Sequence, residues 1–70
     1  MVDPLELRRM LLDERMDWLE VRAWAWETPG LYTRRAGDTL EVVREEGKKV
    51  LARLDLNGYP VYLAPEEEWV

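Results

Sequence analysis

Asn57-Gly58, set between LDL and YPVYLA, constrains this chain more than any other dipeptide in it. Asn-Gly between alternating apolar residues is a strong short-range hairpin signal, because both residues tolerate the positive φ of a tight turn. Such a turn requires a strand upstream, and the upstream stretch DTLEVVREEGKKVLARLDL fits two forms. As a helix, Leu40, Val43, Val50, Leu51 and Leu54 follow a helical period, with Asp38 and Glu41 as a capping box. As strands, TLEVVRE and KVLARLDL flank a tight turn at EEGK. Gly47 would cost a helix interior about 1 kcal/mol relative to alanine, and the pair Val42 and Val43 favours extended backbone. A helix running to Leu54 would also leave the hairpin without its first strand. Glu45 and Glu46 would face Lys48 and Lys49 across the strand turn as opposite charges. The strand reading is preferred, with the helix as its alternative.

The chain has 70 residues, no cysteine and no histidine. It is one domain, residues 1–70, near the size at which a single core must suffice without staples. The usual zinc and iron ligands and any thiol nucleophile are missing. There is no serine, so a hydroxyl nucleophile would rest on Thr28, Thr33 or Thr39, none of them beside a plausible base. These absences point away from catalysis, a structural metal, a cofactor or a small-molecule substrate. Apolar runs are far shorter than the ~18 residues of a membrane span, and MVDPLELRR lacks a signal-peptide core, so a cytoplasmic protein is expected. Asn57 is the only amide side chain and arginine outnumbers lysine. That balance suits a heat-adapted source or a GC-rich genome.

The net charge of −5 is spread unevenly: residues 1–20 carry −3, residues 21–65 carry +1, and Glu66, Glu67 and Glu68 add −3. A nucleic-acid binder normally presents a clear basic face, which is a reason to disfavour that class.

Asp3 and Pro4 open a helix in the usual way, as N-cap acid and first-turn proline. The helix is expected to run over residues 1–19. At ~100° per residue, Leu5, Leu12, Met16 and Leu19 form one apolar stripe and Leu7, Leu11 and Trp18 a second, with Arg8 and Arg15 between them. Two stripes call for two surfaces: either both lie within the domain, with the arginine stems covering the gap, or one packs on the chain's own sheet and the other on a partner. Residues 20–27 are then read as the first strand, in which Arg22, Trp24 and Trp26 share one face of VRAWAWE and Val21, Ala23 and Ala25 the other. TPG at 28–30 and Ala36, Gly37 and Asp38 are turns around LYTRR. The fold class expected is mainly β with one N-terminal helix: a helix followed by a small antiparallel barrel, or strongly bent sheet, of about five strands over residues 20–70.

In this order the segments resemble a Src-homology-3 domain over residues 21–70. VRAWAWE stands where that family has its alanine–leucine–tyrosine–aspartate–tyrosine strand. LYTRRAGDTLEVV resembles the stretch with a glycine–aspartate turn, and LARLDLNGYPVYLAPEEEWV the last hairpin, 3₁₀ turn and closing strand. The resemblance implies a shallow groove for proline-rich peptides, lined here by Trp24, Trp26, Pro65 and Trp69. A helix before a small barrel also resembles the Sm-like RNA-binding proteins. If residues 38–54 are helical instead, ETPGLYTRRAGDTLEVV resembles the strand–turn–helix of HicB-type antitoxins, which implies an α+β fold and an antitoxin-like regulator.

The function these readings favour is a non-catalytic interaction or accessory module, a homo-oligomer or a protein bound to another. Its contact residues are expected among Trp24, Trp26, Pro65, Trp69, Leu7, Leu11 and Trp18. The rival reading is single-stranded nucleic-acid binding, with Trp24 and Trp26 as stacking platforms and Arg22, Arg34, Arg35, Lys48 and Lys49 as the basic patch.

Overall fold

The computed structural model describes residues 2–70, so the first residue of the expected 1–19 helix lies outside them. Helix α1 spans Pro4–Asp13, and helix α2 spans Trp18–Trp26. Strands β1 (Leu31–Ala36), β2 (Thr39–Arg44), β3 (Lys49–Leu54) and β4 (Pro60–Leu63) form one antiparallel sheet in the order β1-β2-β3-β4. Single 3₁₀ turns occupy Glu46–Lys48 and Glu66–Glu68. The architecture is a small α+β domain, two helices on an open four-stranded meander.

Two expectations for the first half are corrected. The N-terminal helix does not run unbroken to residue 19, and VRAWAWE is helical rather than a strand. Both follow from one local device. Asp17 accepts a hydrogen bond from the Glu20 amide at 2.9 Å, and the Glu20 carboxylate accepts one from the Asp17 amide at 3.3 Å. This capping box starts a second helix at Trp18, in a segment where alanines favour helix and no glycine or proline intervenes. Glu14–Met16 is left as an extended linker. Inside α2, Val21 and Ala25 are buried four residues apart, with helical period, while Ala23 is exposed. Helix α1 keeps its expected cap, Asp3 accepting from the Glu6 amide at 2.8 Å.

The second half follows the strand reading, with β2 and β3 as a hairpin; residues 38–54 do not adopt the helix of the antitoxin-like alternative. The sheet has four strands rather than about five because its expected first strand is α2. At Gly37, φ of +61° in the first central position gives the β1–β2 hairpin its two-residue type II′ turn. The Asn57-Gly58 turn is larger than the two-residue turn expected. The Gly58 amide donates to the Asp55 carbonyl at 2.9 Å, and the Asp55 carboxylate accepts from the Asn57 and Tyr59 amides. Only Gly58 takes positive φ, +79°. That is the pattern of a type I turn closed by a left-handed glycine. The charge pairing expected across the EEGK turn is also absent: Lys49 pairs with Glu68, and Lys48 lies over the Tyr32 ring at 5.6 Å.

The core lies between the helices and one face of the sheet. Leu7, Leu11, Met16, Val21 and Ala25 meet Leu40, Val42, Leu51, Ala52 and Leu54, and Trp69 closes one end. The accessible surface is 4618 Å², close to the ~4600 Å² that scaling gives for a folded monomer of this mass. The total is that of an ordinary monomer, while large apolar side chains such as Leu19 and Trp26 stay exposed within it. No helix among the described residues is long and apolar enough to cross a membrane.

Candidate functional site

Helix α2 packs along the helix side of β1. Its first residue, Trp18, lies under Arg35, whose guanidinium sits 5.6 Å from the ring, and its end leads through Thr28 into Leu31. The helix therefore runs antiparallel to the strand. With Val21 and Ala25 directed into the core, the residues at i, i+4 and i+7 from Leu19 fall on the side toward the outer edge of β1. Leu19 is 77% exposed and Trp26 87% exposed. With Arg22 and Ala23 they form one wall of an open cleft of about 800 Å³, whose other wall is Tyr32 and Thr33.

That second wall is the free edge of the sheet. Ala36 and Thr39 close the β1–β2 turn, and the Glu45 amide donates to the Gly30 carbonyl at 2.9 Å farther along the same ladder. By the alternation of an antiparallel pair, Tyr32, Arg34 and Ala36 bond to β2, while Thr33 and Arg35 aim their N–H and C=O groups outward. No backbone group among the described residues pairs with those outward groups. The opposite edge differs, since β4 is only four residues long, begins with Pro60 and carries a register shift where Leu54 meets it. Proline, shortness and a bulge are the usual protections of a sheet edge. Strand β1 has none of these three; the charges it carries are Arg34 and Arg35.

The sheet face away from the helices carries three charges in register, Arg34 on β1, Glu41 on β2 and Arg53 on β3, with Tyr62 beside them on β4. Glu41 accepts from the Arg34 Nε at 2.6 Å and from the Arg53 Nε at 2.9 Å, and Arg53 lies 5.9 Å from the Tyr62 ring. The Glu41 side chain is 7% exposed. The hydrogen bond from Arg34 holds the carboxylate below its usual range; desolvation opposes this, and Arg53 adds to the lowering. A carboxyl with a lowered native pKa binds fewer protons folded than unfolded, so its stabilisation is complete above the ordinary value of 4.5 and is lost as pH falls through the native value. We expect Glu41→Gln to cost about 1 kcal/mol at pH 7, a modest figure because both arginines are half exposed. Thermal melts should show the gap between parent and variant closing below pH 4.5; a gap that persists there would mean that the charge of Glu41 contributes nothing.

The residues singled out from the sequence do not converge. Leu7, Leu11 and Trp69 are buried in the domain's own core and offer almost no exposed surface. Trp18 is partly buried and donates its indole N–H to the Asp55 carbonyl at 2.7 Å. Trp24 and Trp26, two apart on a helix, point ~200° away from each other and cannot form one platform. Pro65 is exposed, and Trp69 lines a different cleft from Trp26. The five cations are likewise dispersed: Arg34 pairs with Glu41, Lys49 with Glu68, Lys48 with Tyr32 and Arg35 with Trp18, while Arg22 lies in the α2 cleft. Leu19 was not among the expected contacts, although its spacing from Trp26 fits one helix face once α2 is recognised. Among the described residues no three His, Cys, Asp or Glu side chains form a metal site. No family model matches the chain, and neither a curated protein nor a solved structure does.

Proposed function

We propose that this chain is a non-catalytic interaction module whose contact site is the cleft between α2 and the open edge of β1. The observation that carries the reading is the near-complete exposure of Trp26 and Leu19, 87% and 77%, on one helix face beside the open strand edge. Large apolar side chains gathered beside a concave surface usually mark contacts, whereas single scattered ones do not. For the fold, the four-stranded meander followed by a 3₁₀ turn is similar in order to the later part of a Src-homology-3 barrel. The nucleic-acid alternative is less favoured, because its two stacking residues diverge and four of its five cations are already engaged.

The test is the double variant Leu19→Glu with Trp26→Glu. Both side chains are at the surface, so the melting temperature should change by no more than a surface substitution allows, about 0.5 kcal/mol per site. Immobilised parent should retain a protein from the source cell that, once purified, rebinds the parent and not the variant. A variant destabilised like a core mutant, or one that keeps the same partner, would overturn the reading.

A further inference from the structure

Resting on that reading, we infer that the cleft takes one extended segment of another protein, added as a fifth strand to the outer edge of β1, with apolar side chains under α2 and carboxylates on the opposite face. The register dictates this alternation. A strand added to an edge continues the pleat, so its residues beside Thr33 face the helix and those beside Arg34 face away from it. On the helix side the new residues meet Leu19, Ala23 and Trp26, with Arg22 beside them and Glu45 at the Gly30 end of the cleft. On the far side they meet Arg34, which shares its only carboxylate partner, Glu41, with Arg53. Two guanidinium groups on one carboxylate leave a net positive charge, in a molecule whose total is −5.

Charge also selects against a second copy of this chain. Antiparallel pairing of β1 with itself would gather Arg34 and Arg35 from both chains on one seam, with no carboxylate entering from either strand. Like charges across a seam are destabilising. The accessible surface, ordinary for a monomer of this mass, gives no independent reason for self-association. An acidic, alternating strand removes the like-charge opposition and supplies the outward Thr33 and Arg35 groups with backbone partners, the mode known as β-augmentation.

The experiment uses the full chain and three end-blocked octapeptides: alternating valine and glutamate, alternating valine and lysine, and the first again with its amides N-methylated on one edge. Binding is followed by tryptophan emission, and hydrogen exchange is read at Thr33 and Arg35. The glutamate peptide should slow exchange at both amides and bind about tenfold more tightly than the lysine peptide at low salt. That preference should shrink as salt rises. The N-methylated peptide should slow neither amide. Equal affinity for the two charges, or an emission change without protection at Thr33 and Arg35, would overturn strand addition by an acidic segment while leaving the interaction-module reading intact. Protection of the same amides without peptide, together with a dimer in light scattering, would assign the edge to a second copy and overturn the proposal. Failure of all three peptides at millimolar concentration would overturn it as well. Because the peptide assay does not use Leu19→Glu or Trp26→Glu, its failure is separable from failure of the cleft itself.

Discussion

Gly58→Ala is expected to destabilise the domain by about 3 kcal/mol or more, which in a chain of this size corresponds to a loss of roughly 12–24 °C in melting temperature. Two effects add. Gly58 has φ of +79°, where a side chain is strained, at about 1–2 kcal/mol. A Cβ there would also stand 2.0 Å from the Met16 carbonyl oxygen and 3.0 Å from its carbon. Those are backbone atoms of the linker between the helices, so relief requires the linker or the hairpin to move. Met16 is itself buried, and Trp18 just beyond it is bonded to Asp55 of the same turn. Gly47→Ala is the internal control: its φ is also +79°, but an added Cβ meets nothing within 4 Å. Only the conformational part should be lost there. If thermal melts give the same loss for both variants, the linker is not docked on the turn.

The turn at Gly58 and the docking of the linker on it differ in how far they can be read from sequence. Asn57-Gly58 announces a turn, and the turn in combination with Val42, Val43 and Gly47 settles the β2–β3 hairpin, because these are local preferences. That Gly58 is also the seat of the interhelix linker is not local. It depends on a contact between positions some forty residues apart, which no periodicity records.

Helix α2 shows a different failure. Its signal is present, since Asp17 and Glu20 stand at capping-box spacing and Val21 and Ala25 at helical spacing. The competing signal is the alternation of large and small residues in RAWAW, which reads as a strand. That alternation ran inside out for a strand in a small core, with alanines opposite tryptophans, and a helix removes the conflict. The candidate site moved with it. As a strand, the segment would have put Trp24 and Trp26 on one platform and covered the edge of β1; as a helix it separates the tryptophans, leaves that edge open and lines it with Leu19 and Trp26. Likewise, the spacing of Leu7 and Leu11 defines a stripe, but which of two stripes faces inward is decided by packing. Arg8, between them, reaches the Ala64 carbonyl at 3.0 Å and so fixes the rotation of α1.

Trp69→Ala should rival Gly58→Ala in effect, although the residue is next to last in the chain. The indole is 1% exposed, packed with the core cluster of α1, α2 and the sheet, and its N–H donates to the Ala64 carbonyl at 3.0 Å. Truncating a buried tryptophan costs about 3–5 kcal/mol, against the roughly 4–10 kcal/mol of total stability usual for seventy residues. The segment that holds it is tied down elsewhere: Arg44 donates to the Glu68 and Val70 carbonyls at 3.2 and 3.3 Å, and Lys49 pairs with Glu68. Those exposed ties are individually weak, so they position the last turn and the indole supplies its stability. Trp69→Phe separates area from hydrogen bonding. The Ala64 carbonyl keeps its bond from Arg8 Nε, so losing the indole N–H orphans no acceptor, and the phenylalanine variant should lose only about 1–2 kcal/mol. Denaturant melts of the two variants, with amide exchange at Ala64 and Leu51, measure the difference. A Trp69→Ala protein that melts within a few degrees of the parent would place the tryptophan outside the cooperative core, and would restore it as a contact residue.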